Sequence, residues 1–273
     1  MSQSHAENSA LCQAMTALHQ LMSRLRAPDG CAWDRAQTFP SLTPYTIEEV
    51  YEVVDAVESK DMAGLREELG DLLFHVVFYC QIAAEEGHFT LAEVVEAVEA
   101  KMRARHPHVF GDMKAETPQA VIQQWEKIKQ REKQESGEDS TQKSVFHGVS
   151  SHLPALLWAL KIQQKMAKVG FDWPDIQGVI QQVHLEQEEF LQACQTMEQD
   201  ALEAEMGDVL FSIANLARRF HINPEAALRR ATLKCRNRFQ NMEERLWHQG
   251  KEAATSSLDE LEQLWQESKK LYP

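Results

Sequence analysis

Apolar residues recur along the chain at helical spacing. Leu11, Met15, Leu18, Met22 and Leu25 step by four and three residues and predict a first amphipathic helix, ended by Pro28 and Gly30. The stretch CAWDRAQTFPSLTPYT reads as an irregular connection. Thr46, with Glu49 three residues on, reads as a capping box that opens a second helix. Its buried face is Ile47, Val50, Tyr51, Val54 and Val57. After the polar turn SKDMAG, Leu65, Leu69, Leu72, Leu73 and Val76 mark a third. A fourth spans about Thr90 to Arg105 and stops at His106-Pro107, because the residue before a proline is pushed out of the α region. The region of Trp125 closes this half of the chain. Residues 131–150 are polar, with few apolar side chains such as Val145 and Phe146, and read as a solvated linker. Helical spacing then resumes at Leu153, Leu157 and Leu160. The expectation is an all-α protein of two domains, residues 1–130 and 151–273, joined by the linker 131–150.

Composition sharpens this reading. Among 273 residues, 11 glycines and 9 prolines are about 4% and 3%, below the usual values of about 7% and 5%. A turn-rich β-sandwich or a low-complexity chain is therefore excluded. The net charge of −14 repels phosphate backbones and anionic lipid, so neither nucleic acid nor a membrane is an expected partner. An anionic substrate would have to be met by local cations or by a metal ion. Five scattered cysteines with no CxxC fit a reducing compartment and form no zinc cluster. No signal peptide is recognisable at the start, and the apolar run from Leu72 to Ala84 is too short to span a bilayer, so a cytoplasmic location is expected.

The chain repeats itself. Glu49, Glu52, Glu68, Gly70, Asp71 and Phe74 match Glu186, Glu189, Glu205, Gly207, Asp208 and Phe211 at a constant offset of 137 residues. Downstream, Lys101 and Arg105 match Lys234 and Arg238 at offset 133, and Trp125 and Lys129 match Trp265 and Lys269 at offset 140. Drift of a few residues is what small loop insertions produce, so the two halves are homologous.

The repeated residues form a chemical pattern. Positions three apart lie about 60° apart around a helix, so Glu49 and Glu52 share one face, as do Glu68 and Asp71 on the next helix. A short turn between those helices brings the pairs together. Four carboxylates in one place repel unless a hard divalent cation with oxygen ligands joins them. A single ExxE is ordinarily solvated surface; a duplicated pair of such motifs in register is not. Lys101 with Arg105, and Lys234 with Arg238, share helix faces and can neutralise phosphate oxygens, although such pairs also serve simply to balance nearby acids. Trp125 and Trp265 can stack on a base with Lys129 and Lys269 one turn away, or can be core. His106 and His108 lack counterparts in the second half and read as a helix stop. A di-iron carboxylate protein would need repeated ExxH pairs, which are missing.

The string Glu48, Glu49, Glu52 followed by Glu68 and Asp71, with CAWDRAQT upstream and RHPHVF downstream, resembles the MazG family over about Leu11 to Leu271. The resemblance implies tandem helical-bundle domains and Mg2+-dependent cleavage of (deoxy)nucleoside triphosphates to the monophosphate and pyrophosphate, with Mn2+ as a substitute ion. It further implies house-cleaning of the nucleotide pool, lowering of (p)ppGpp, and assembly as a homodimer. By position, metal ligands would be Glu49, Glu52, Glu68 and Asp71, and Glu186, Glu189, Glu205 and Asp208. Glu48, Glu49, Glu52, Glu186 and Glu189 would serve catalysis. Lys101, Arg105, Trp125, Lys129, Lys234, Arg238, Trp265 and Lys269 would contact the nucleotide. One departure stands out: Leu185 occupies the place of Glu48 in the second half, which leaves open which half turns over. The alternative is a non-catalytic helical module that binds a nucleotide or a partner protein.

Overall fold

The computed structural model describes residues 2–135, 144–196 and 198–272. The chain divides into two compact units, Met1–Glu138 and Asp139–Pro273. All regular structure among the described residues is helical.

Unit 1 contains α1 (Ser2–Leu25), α2 (Ala32–Ala36), α3 (Phe39–Ser59), α4 (Met62–Glu85), α5 (Leu91–Arg105), the single turn α6 (Pro107–Phe110) and α7 (Pro118–Glu135). Its centre is a helical hairpin. Lys60 takes the left-handed conformation, φ 59°, and closes α3 by donating its N–H to the carbonyls of Ala56 and Val57. The Asp61 carboxylate then accepts from the N–H groups of Ala63 and Gly64, both at 3.0 Å, and so satisfies the exposed donors that open α4. With only two residues between them, α3 and α4 must pack side by side and antiparallel. α1 covers α4, and Met22, Leu42, Val77, Phe78 and Ile82 from these three helices form the buried core.

Two boundaries differ from the sequence expectation. The stretch read as an irregular connection holds α2 and the start of α3. The cap of α3 is Thr38, which exchanges side-chain hydrogen bonds with Ser41, and Pro40 stands in the first turn where no N–H is required. Thr46 is therefore no cap. It lies inside α3, where its Oγ1 bonds the Leu42 carbonyl at 3.1 Å and the Tyr79 hydroxyl at 2.8 Å. At the other end of the unit, α7 continues into the stretch read as linker because Arg131 to Glu135 are all good helix formers. Of that linker, residues 136–143 lie outside the described part.

Unit 2 repeats the plan with α8 (Ala155–Lys168), α9 (Ile176–Thr196), α10 (Gln199–Arg219), α11 (Pro224–His248) and α12 (Leu258–Leu271). α9 and α10 form the counterpart of the α3–α4 hairpin, and α8 packs on α10 as α1 does on α4. α11 is capped by Asn223, whose side chain accepts from Ala226 N–H, and is pinned to α12 through Met242, Leu246 and Leu264.

Candidate functional site

The α3–α4 hairpin brings Glu49, Glu68 and Asp71 together: one carboxylate oxygen from each lies within 4.8 Å of the others. The α9–α10 hairpin does the same for Glu186, Glu205 and Asp208. In each trio the two glutamates are half-buried and the aspartate is exposed. Oxygens that ligate one cation at about 2.1–2.6 Å lie no more than about 5 Å apart, so either trio fits the ligand shell of a small divalent ion. Glu52 stands beside its trio and hydrogen-bonds to Glu49 and Glu68. Glu189, its counterpart, is exposed one turn along α9 from Glu186. Glu48 is exposed and outside the trio, and Leu185 in unit 2 is 49% exposed. The position that breaks the motif in unit 2 is thus a solvent-facing one, and its loss costs no member of the acidic trio.

Electrostatics supports a cation at the first trio. Partial desolvation, the hydrogen bond to Glu52, and the charges of Glu52, Asp71 and Glu68 push the Glu49 carboxyl up to about 7. Desolvation, followed by the charges of Glu52, Glu67 and Asp71, likewise raises Glu68. Without a cation, Glu49 therefore holds a proton between about 4.5 and 7, where a free carboxylate is ionised. Between about 4.5 and 7 the folded state binds more protons than the unfolded one, so stability of the metal-free protein falls as pH rises through that window. A cation entering the trio expels that proton. Titration with Mn2+ at pH 6 is expected to release close to one proton at unit 1, read by calorimetry in two buffers of different ionisation enthalpy. Release that does not shrink when Glu49→Gln is titrated would refute this assignment of the proton.

The cations and aromatics repeat less faithfully. In unit 1 the Arg105 guanidinium clasps Glu132, with Nε 3.2 Å from both oxygens and Nη2 2.6 Å from Oε2. Lys101 and Lys129 also lower the Glu132 carboxyl, after the larger effect of Arg105. Lys129 Nζ lies 5.6 Å from the centre of the Trp125 ring, whose edge meets His106 at 5.1 Å. Arg105, one of the cations expected at phosphate, is thus paired with an acid. In unit 2 the residue at that place is Tyr272. Arg238 Nε donates to its backbone carbonyl at 2.9 Å, and both Arg238 and Lys269 lie over the Trp265 ring, at 5.6 and 5.9 Å. Trp265 also packs on the α11–α12 core, so part of its surface is committed to structure. Lys234 shares α11 with Arg238.

Two features carry no sequence motif. Gln182 Nε2 donates to Glu186 Oε1 at 2.7 Å and orients that carboxylate from one turn back on α9. A cavity of about 180 Å3 opens beside Glu186, between α8, α9 and α10. Glutamine and asparagine at helical spacing could not have announced it, because its wall comes from segments about 50 residues apart.

Comparison with known proteins places these features in a family. A family model described as the MazG nucleotide pyrophosphohydrolase domain matches residues 37–110 and again 176–242, spanning both acidic hairpins. The chain is 42% identical over 253 residues to a nucleoside triphosphate pyrophosphohydrolase of Escherichia coli K12, covering 92% of this chain and 95% of that protein. It is also 42% identical over 252 residues to the nucleoside triphosphate pyrophosphohydrolase/pyrophosphatase MazG of Thermotoga maritima, covering 92% and 94%. A nucleoside triphosphate pyrophosphohydrolase of Mycobacterium tuberculosis aligns over 152 residues at 37% identity, 55% of this chain and 44% of that one. The chain therefore belongs to the MazG family, whose nucleotide pyrophosphohydrolase domain it carries twice.

Proposed function

We propose that this protein hydrolyses (deoxy)nucleoside triphosphates to the monophosphate and pyrophosphate with Mg2+, or Mn2+ in its place, and that unit 2 does the chemistry. The observation that carries this reading is the trio of Glu186, Glu205 and Asp208, set in a matched family domain whose Arg238, among the described residues, donates to a backbone carbonyl and to no acid. The cation, when bound, offsets charge on the phosphate oxygens. Glu186, Glu205 and Asp208 would hold it, and Gln182 keeps Glu186 in one orientation. Glu189, one turn from Glu186, is placed to accept a proton from the attacking water. Lys234, Arg238 and Lys269 bind phosphate oxygens, and Trp265 backs them. The chain's share is positioning and charge complementarity, the usual division in phosphoryl transfer.

Unit 1 favours a second, non-catalytic role for itself, because Glu132 is ion-paired with Arg105, the counterpart of Arg238 in the phosphate-binding set. We further infer a homodimer. On unit 2, Trp158, Leu210 and Leu228 are 41%, 46% and 55% exposed around an apolar hollow of about 430 Å3, and a second copy would cover them. No helix among the described residues is long and apolar enough to cross a membrane, in keeping with an enzyme that clears the cytoplasmic nucleotide pool.

The decisive experiment mixes the protein with a panel of nucleoside triphosphates and ppGpp, with Mg2+ or with chelator. Pyrophosphate and nucleoside monophosphate in equal amounts, only with metal, are expected from the triphosphates. Orthophosphate and a diphosphate as products, or no turnover of any triphosphate, would overturn the proposal.

A further inference from the structure

Ser268 is fully buried, 0% exposed, between Trp265 and Lys269 on α12. A hydroxyl inside a helix often bonds the carbonyl one turn back, as Thr16, Thr43 and Ser59 do here at 2.8, 3.1 and 2.8 Å. Ser268 instead donates across to Asn241 Oδ1 on α11, at 3.0 Å. Asn241 stands on the face of α11 that also carries Lys234 and Arg238, at steps of four and three residues. The apolar contacts between these helices, Met242 and Leu246 against Leu264, attract without direction. The bond from Arg238 to the Tyr272 carbonyl is exposed, where water competes for both groups. A hydrogen bond tolerates only a narrow range of distance and angle, and a buried hydroxyl stripped of its partner is costly. The Asn241–Ser268 bond therefore selects one rotation of α12 against α11.

That rotation sets the place of three side chains. Arg238 from α11 and Lys269 from α12 both reach over the Trp265 ring, at 5.6 and 5.9 Å. A side-chain tip about 6 Å from a helix axis moves by about 1 Å when the helix turns by about 10°. Displacement of that size is enough to spoil the fit of a charged group to its substrate. Unit 1 lacks the bond. At offsets 133 and 140, which relate the cations and tryptophans of the two units, His108 and Ile128 stand for Asn241 and Ser268. Isoleucine offers no hydroxyl, and His108 Nδ1 is buried with no partner among the described residues. The bond is thus found in the unit whose arginine meets a carbonyl, and is missing from the one whose arginine meets Glu132.

We propose that Asn241 and Ser268 are positioning residues for the nucleotide: their hydrogen bond locks α12 on α11 so that Arg238, Lys269 and Trp265 are in register before the phosphates arrive; this rests on the reading that unit 2 binds nucleoside triphosphates through those side chains. Neither residue touches the substrate. Without the bond α12 rocks among several orientations, of which one presents Lys269 together with Arg238. Apparent affinity then falls by the fraction of time spent in that orientation. A saturating ligand selects the competent orientation, so turnover of the bound nucleotide is kept.

The test measures binding of the non-hydrolysable α,β-methylene-ATP to the full chain with Mg2+ by titration calorimetry, and KM and kcat for ATP by pyrophosphate release. Ser268→Ala is expected to weaken the analogue about three- to tenfold and to raise KM by the same factor, with kcat within about twofold of the wild type. Asn241→Ala should do the same. The double variant should lose no more than either single one, because each removes the same bond. Ser268→Thr, which keeps the hydroxyl, should bind as the wild type does. Mn2+ affinity, set by carboxylates on the hairpins, should stay unchanged throughout. A lower melting temperature with unchanged affinity and KM would make the pair structural only and overturn the proposal, as would losses that add in the double variant. Either single variant is decisive if the other fails to fold. A wild type that binds the analogue and releases pyrophosphate, beside variants that do so equally well, would sink the positioning role alone. A wild type that does neither would overturn the hydrolase reading and the positioning role together.

Discussion

Glu205→Gln combined with Asp208→Asn is expected to lower metal-dependent pyrophosphate release by at least about 100-fold, because even partners one layer outside a metal site cost 10- to 100-fold when removed. Both changes keep side-chain size and remove charge from a place where like charges crowd within 4.8 Å. The fold should not suffer: without metal the variant should melt at or above the wild-type temperature, since repulsion has been relieved. That separates loss of chemistry from loss of structure. The matching pair in unit 1, Glu49→Gln with Asp71→Asn, should abolish proton release at that unit and cost far less turnover, because Glu132 already pairs with Arg105 there. Wild-type rates in both double variants would remove the acidic hairpins from the reaction altogether.

Phe78→Ala is expected to destabilise unit 1 by about 3–5 kcal/mol, the range for truncating an enclosed aromatic ring. Phe78 is 1% exposed, packs with Met22, Leu42, Val77 and Ile82, and meets Phe74 edge-on at 6.0 Å. Truncation leaves a void among helices held apart by the other core side chains, and it strips the ring from beneath the Arg26 guanidinium. Arg26 stays tied to Glu85 at 2.7 Å, so the helices cannot easily collapse into the gap. For a unit of this size the melting point should fall by about 10 °C. A fall worth less than about 1 kcal/mol would mean that the ring is not enclosed as described.

The acidic hairpins were legible before any coordinates. Each lies within about 25 residues of chain, the helical period alone aligns Glu49 with Glu52 and Glu68 with Asp71, and a two-residue turn leaves one way to fold. The start of α3 was not legible. The stretch CAWDRAQTFPSLTPYT reads as an irregular connection, yet its Pro40 sits where no donor is needed, and Thr46, which looks like a cap, spends its hydroxyl inside the helix on Leu42 and Tyr79. Nor could the spacing of Lys101 and Arg105 reveal their pairing with Glu132, since that acid comes from another helix 27 residues on from Arg105.

Local periodicity and the repeat were sufficient to specify helices, hairpins and the places where carboxylates converge, for those depend on neighbours along the chain. Which copy sets an asparagine at a cavity and which sets a phenylalanine in a core, and whether the arginine meets an acid or a carbonyl, depended on packing. Asn215 beside Gln163, against Phe78 beneath Arg26, is a choice made by side chains that meet only after remote helices have come together, and no spacing within one helix encodes it.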